Sequence, residues 1–151
     1  VSILKVAIAG VTMLGLLSYV AVTSEQEEET TKVVEKYQLS IPETKMMAQC
    51  EIAMVRHNIV FKDGATQTSG CGCIIAQVSP KLSPRMMTMA TGLLPILFEA
   101  RNHKGDEKYN ILNAGVTRLQ TNTRLNEKKT EKVLNRLFDA VAYCGKNASA
   151  I

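Results

Sequence analysis

Hydrophobic and polar positions divide this chain into an apolar end and an amphipathic remainder. From Val6 to Val22, seventeen consecutive residues carry no charge, and Lys5 is the only charge before them. A helix rises about 1.5 Å per residue, so a stretch of this length, with its flanks, matches the hydrocarbon depth of a bilayer. The apolar character runs all round the helix and not along one stripe, which argues against an ordinary core helix. A cleaved signal would need small residues at the cut, and Tyr19-x-Ala21 and Ala21-x-Thr23 supply them poorly. The pattern therefore predicts one transmembrane anchor over 1–23. Lys5 can snorkel to headgroups at one end, and the Tyr19 phenol lies at interfacial depth at the other. Gly10 and Gly15 offer small faces for packing against other helices.

Ser24 to Tyr37 has neither glycine nor proline, so the same helix is expected to continue as a stalk, with stalk and linker together covering 24–40. Beyond it the pattern predicts a small helical domain over 41–145 and a loose tail over 146–151. Ser40 and Pro42 open a helix whose Met46, Met47, Cys50, Ala53 and Met54 form one apolar stripe. Ile59 to Phe61 is read as an extension of that helix, and Ala65 to Gly72 as a small-residue loop. Ser83-Pro84 opens the next helix, which Pro95 should kink or divide and Gly105 should end. Asp106 is expected to cap a helix through about Gln120, with Leu112, Val116 and Leu119 on one face. The last helix, about Glu127 to Cys144, has the clearest period: Val133, Leu134, Leu137, Phe138, Val141 and Cys144, with Gly145 as its stop. The fold class is thus mostly α, an N-terminal transmembrane helix and stalk followed by a small disulfide-linked α-helical domain.

The chain of 151 residues has three Phe, four Tyr, no Trp and seven Met, a composition suited to helix-on-helix packing with adaptable side chains. Charge is uneven. Residues 1–35 hold two of the 18 basic and five of the 14 acidic residues, which leaves 16 against 9 in the remainder. A domain with that excess suits an acidic partner or anionic headgroups. Its basic residues are scattered, so nucleic acid is not expected as a partner. Lys5 and the amino terminus before the span, with no basic residue after it until Lys32, predict an N-terminus in the cytoplasm and a domain outside, in a periplasm or at a cell surface.

Four cysteines, Cys50, Cys71, Cys73 and Cys144, in such a compartment point to two disulfides. A bridge across Cys71-Gly72-Cys73 would close a strained small ring. The expected arrangement joins one of the central pair to Cys50 and the other to Cys144. A redox-active Cys-Gly-Cys is the alternative, but it lacks the Cys-x-x-Cys spacing of thioredoxin-like sites. Metal binding is not expected, because Cys50, His57, His103 and Cys144 stand apart from that one close pair. Glu51, Glu99 and Asp139 form no acid–base constellation, and no serine elbow or phosphate loop is present. No catalytic residues and no cofactor are expected.

The first 37 residues, an apolar half-helix running into a polar one, resemble the plan of type IV pilins. The resemblance implies a filament subunit that polymerises through this helix. It departs from the usual pilin pattern at Val1 and Lys5, where pilins carry Phe and Glu. The reading carried forward is a non-catalytic, membrane-anchored structural or accessory subunit. Its expected partners are other membrane-complex subunits or copies of itself, together with the lipid bilayer, and no small-molecule substrate. The pilin-like filament and a tethered thiol–disulfide oxidoreductase using Cys71 and Cys73 are the alternatives.

Overall fold

A computed structural model describes the backbone of residues 13–61 and 64–148, and the side chains of 24–61 and 64–148. Helix α1 (Met13–Tyr37) runs unbroken from the apolar stretch into the polar one. Lys5 and Gly10 lie outside the described residues, and of Gly15 and Tyr19 only the helical backbone is described. Among the described residues no helix is long and apolar enough to cross a membrane. Ser24 to Glu28 is exposed. The last turns are not stalk: Val33 is fully buried and Leu39 nearly so. The helix stops where Gln38 takes a left-handed backbone (φ 52°). The amides of Gln38 and Leu39 then turn back to the carbonyls of Glu35 and Val34, the paired bonds of a Schellman stop.

Helix α2 (Ile41–Arg56) starts as its sequence predicts. The Ser40 hydroxyl accepts from the Glu43 amide at 3.3 Å, and the Glu43 carboxylate accepts from the Ser40 amide at 3.1 Å. Met47, Cys50, Ala53 and Met54 form its buried stripe. The expected extension through Ile59–Phe61 is absent. Asn58 adopts φ 53°, and the Ile59 amide bonds the Met54 carbonyl at 2.9 Å, a second Schellman stop. Asparagine tolerates this conformation, which is why the helix can end before three apolar residues.

The larger correction concerns Ala65 to Gly72. All of it after Thr66 belongs to helix α3 (Gln67–Val78), capped by the Thr66 hydroxyl accepting from the Ser69 amide. Glycines at positions 70 and 72 weaken local helix preference, but packing overrides it. A 3₁₀ turn (Ser79–Lys81) leads to α4 (Pro84–Arg101), capped by Ser83. Pro95 does not divide α4: its neighbours Leu94 and Ile96 are both buried and hold the two halves in the core.

Helix α5 (Gly105–Thr123) begins at the glycine expected to close the previous helix. Lys104 stands at the cap position without a capping side-chain bond; Asp106 and Glu107 sit in the first turn, where their charge suits the helix dipole. Helices α4 and α5 meet through glycines. Gly92 lies under Leu119, and Gly115 lies under Ile96, so the backbones approach closely. Helix α6 (Glu127–Asn147), capped by Asn126, runs two residues beyond Gly145. The expected loose tail is partly held: Ala148 is buried, and its amide bonds the Cys144 carbonyl at 3.0 Å.

The core is built from Met47, Met54, Ile74, Ile75, Met89, Leu93, Leu94 and Leu137, all essentially inaccessible. Phe98 is the one buried aromatic residue among the described side chains. The chain is therefore a mostly helical protein, with no strand among the described residues.

Candidate functional site: the cysteine-tied helix and the surfaces around it

Helix α3 is the hub. Every residue from Ser69 to Ile75 is buried, and α1, α2 and α6 all pack against it. Gly70 admits the Phe61 ring and Gly72 admits Val33, with Tyr37 beside it. Two residues apart on a helix, Cys71 and Cys73 point about 200° from each other. They therefore reach different neighbours. Cys71 bonds Cys50 on α2 and Cys73 bonds Cys144 on α6, each pair with Cα atoms 5.8 Å apart. This is the expected arrangement of one central cysteine to each outer one. All four cysteines are buried, at 3% exposure or less. A thiolate from solution has no path to either bridge without local opening.

A polar clasp joins α1, α2 and the start of α3. The Thr66 hydroxyl donates a hydrogen bond to the Glu29 carboxylate. Close by, Glu51 is half-buried, and its Oε1 atom is enclosed with no hydrogen-bond partner among the described residues. Burial raises the Glu51 carboxyl above the ordinary carboxylate range; a hydrogen bond with Thr68 opposes this, and the charge of Glu29 adds to it.

The histidines do not join the cysteines. The His57 carbonyl accepts from Asn102 Nδ2 at 3.0 Å, and His103 Nδ1 lies 3.1 Å from Glu107 Oε1. No group of three His, Cys, Asp or Glu residues is placed to hold a metal among the described residues.

Two surfaces stand out. The first is a basic face at the start of α6, where Lys81, Lys128, Lys129, Lys132 and Arg136 surround an open depression with Glu131 and Asp139. The second is an apolar groove floored by α4, on which α5 and α6 both pack. Leu97, Ala100, Leu112, Phe138 and Val141 line a cleft of about 240 Å³ there. A neighbouring cleft of about 330 Å³, reaching Ile59 and Phe61, shares the wall formed by Phe98, Arg101, Val141 and Ala142. Among the described residues, the charged groups on the two linings are Arg101, Lys108 and Lys146, without a carboxylate.

Sequence periodicity put Phe138 on the core stripe, but its side chain is 46% exposed at the groove. The groove itself left no sequence signal, because its residues come from three helices whose packing creates it. Compared with protein-family models, curated proteins and solved structures, the chain gives no match.

Proposed function

We propose that this chain is a membrane-anchored, non-catalytic structural subunit, its small helical domain held outside the cytoplasm on an N-terminal helix. The observation that carries this reading is the continuity of α1. One helix leads from the apolar stretch to Val33, which is locked under Gly72 in the domain core. Such a joint transmits position: whatever holds the N-terminal half holds the domain rigidly. The apolar run and its flanking charges support a bilayer as that support, with the N-terminus in the cytoplasm. Disulfides favour an oxidising compartment for the domain, which agrees with the same orientation.

Burial of both bridges speaks against thiol exchange as the activity. The unbroken α1 also suits the pilin-like alternative, in which the apolar half packs against copies of itself.

The test is extraction of the full chain in mild detergent, followed by native sizing and identification of co-migrating chains. A defined complex with other proteins is the expected result. Long homopolymers would instead establish the filament. A chain released from membranes by salt or alkaline washing would overturn the anchor.

A further inference from the structure

We propose that the groove between α5 and α6 binds a single-chain anionic lipid, its acyl chain along α4 and its head over Arg101. The chemistry is complementary at both ends. Leu97, Ala100, Leu112 and Phe138 give a narrow apolar trough, and its exposed Phe138 edge is where a chain would gain most by covering it. Arg101 lines both clefts at their shared wall, with Lys108 on the α5 side and Lys146 on the α6 side. Among the described residues none of the three is engaged in an ion pair. An occupant that is apolar along its length and anionic at one end satisfies both parts. A zwitterionic head would bring a cation against three cations, and a neutral lipid would gain no charge-assisted contact from them.

The position of the groove supplies the source of the ligand. Its Arg101 and Lys146 end adjoins Ile59–Phe61 and the Asn102–His57 contact. Gln67 Nε2 donates to the Ile59 carbonyl at 3.2 Å, and the preceding Thr66 clasps Glu29 on α1. Glu29 follows Thr23 by six residues, a helical rise of about 9 Å. With α1 anchored, the groove would open close to the headgroups. Only this source rests on the anchored reading; the affinity for the lipid does not.

The test is native mass spectrometry of the full chain from nonionic detergent. Lysophosphatidylglycerol and lysophosphatidylcholine of equal chain length are the probes. Retention of the anionic lipid should exceed that of the zwitterionic one by about tenfold, the scale of one charge-assisted contact. The double variant Arg101→Glu/Lys146→Glu should remove that preference, and Leu112→Asp should abolish retention of both lipids. Lys128→Glu/Lys132→Glu, on the separate basic face, should change nothing. The substituted cations are exposed, so these variants should keep the wild-type melting profile. Equal retention of the two lipids would overturn the proposal. So would a preference that survives Arg101→Glu/Lys146→Glu or disappears with Lys128→Glu/Lys132→Glu. Loss of the anchor in a membrane wash, with lipid preference intact, would sink the anchored reading alone.

Discussion

Gly72 on α3 faces Val33 on α1 so closely that a β-carbon on the glycine would overlap the valine Cγ1 methyl. This contact joins the N-terminal helix to the disulfide-linked domain, and it lies between the two central cysteines. Gly72→Ala should destabilise the protein by about 1–3 kcal/mol, the usual cost of overpacking a closed core. Gly145→Ala is the control. It has the same chemistry in α6, with nothing within 4 Å of the added carbon, and φ is not left-handed there. It should be neutral or stabilise by up to about 1 kcal/mol through helix propensity. Denaturant unfolding of both variants checks the pair; equal losses would show that the Gly72 contact carries no special load.

The two disulfides close loops of different length, with sequence separations of 21 for Cys50–Cys71 and 71 for Cys73–Cys144. Loop-closure entropy assigns about 3 kcal/mol to the first and about 4 kcal/mol to the second. Cys73→Ala/Cys144→Ala should therefore unfold at lower denaturant than Cys50→Ala/Cys71→Ala, by about 1 kcal/mol. Peptide mapping without reductant should recover these two pairings. The opposite order of stability would point to residual structure in the unfolded chain as the controlling factor.

Much of this architecture is legible where local chemistry decides it. Ser40 with Pro42, Ser83 with Pro84, and the stripe from Val133 to Cys144 announce helices that the structure contains. Cysteine spacing excludes a Cys71–Cys73 bridge and leaves the pairing type that forms. Helix α3 is not legible in this way. Gly70, Cys71 and Gly72 have no apolar period, and they are helical because Phe61 and Val33 need the space their missing side chains leave. The groove is legible still less, since Arg101, Lys108 and Lys146 meet only through tertiary packing. The Asn58 stop is an intermediate case: an asparagine before Ile59 permits a left-handed turn, but only the Ile59–Met54 bond reveals it.

The capping box at α2 should respond to both mutation and acid. Ser40→Ala removes the acceptor for the Glu43 amide and should cost about 1 kcal/mol. Partial burial pushes the Glu43 carboxyl upward, but hydrogen bonds from the Ser40 side chain, Ser79 and the Ser40 backbone outweigh it and leave it lowered. A carboxyl lowered in the folded state contributes stability above its unfolded pKa and loses it as pH falls through the folded value. Glu43→Gln should therefore destabilise at neutral pH, with the deficit shrinking on acidification. Thermal melts across that range test the sign, and a deficit constant with pH would remove the ionised carboxylate from the explanation.

Glu51 should behave in the opposite sense. Burial raises its carboxyl in the folded state, aided by Glu29 and opposed by Thr68, so the folded chain holds its proton more tightly than the unfolded one. Its penalty is absent below the unfolded pKa, grows as pH rises towards the folded value, and is complete above it. Glu51→Gln keeps the side-chain shape and a donor or acceptor for Thr68 while removing the charge. At neutral pH it should melt above the wild type, and the two curves should converge as pH falls below about 4, near the unfolded carboxyl pKa. Glu29→Gln should give part of the same gain by removing the neighbouring charge, offset by a weaker acceptor for Thr66. A Glu51→Gln protein less stable than wild type at neutral pH would mean that the enclosed Oε1 atom is held by a partner that favours its charged form.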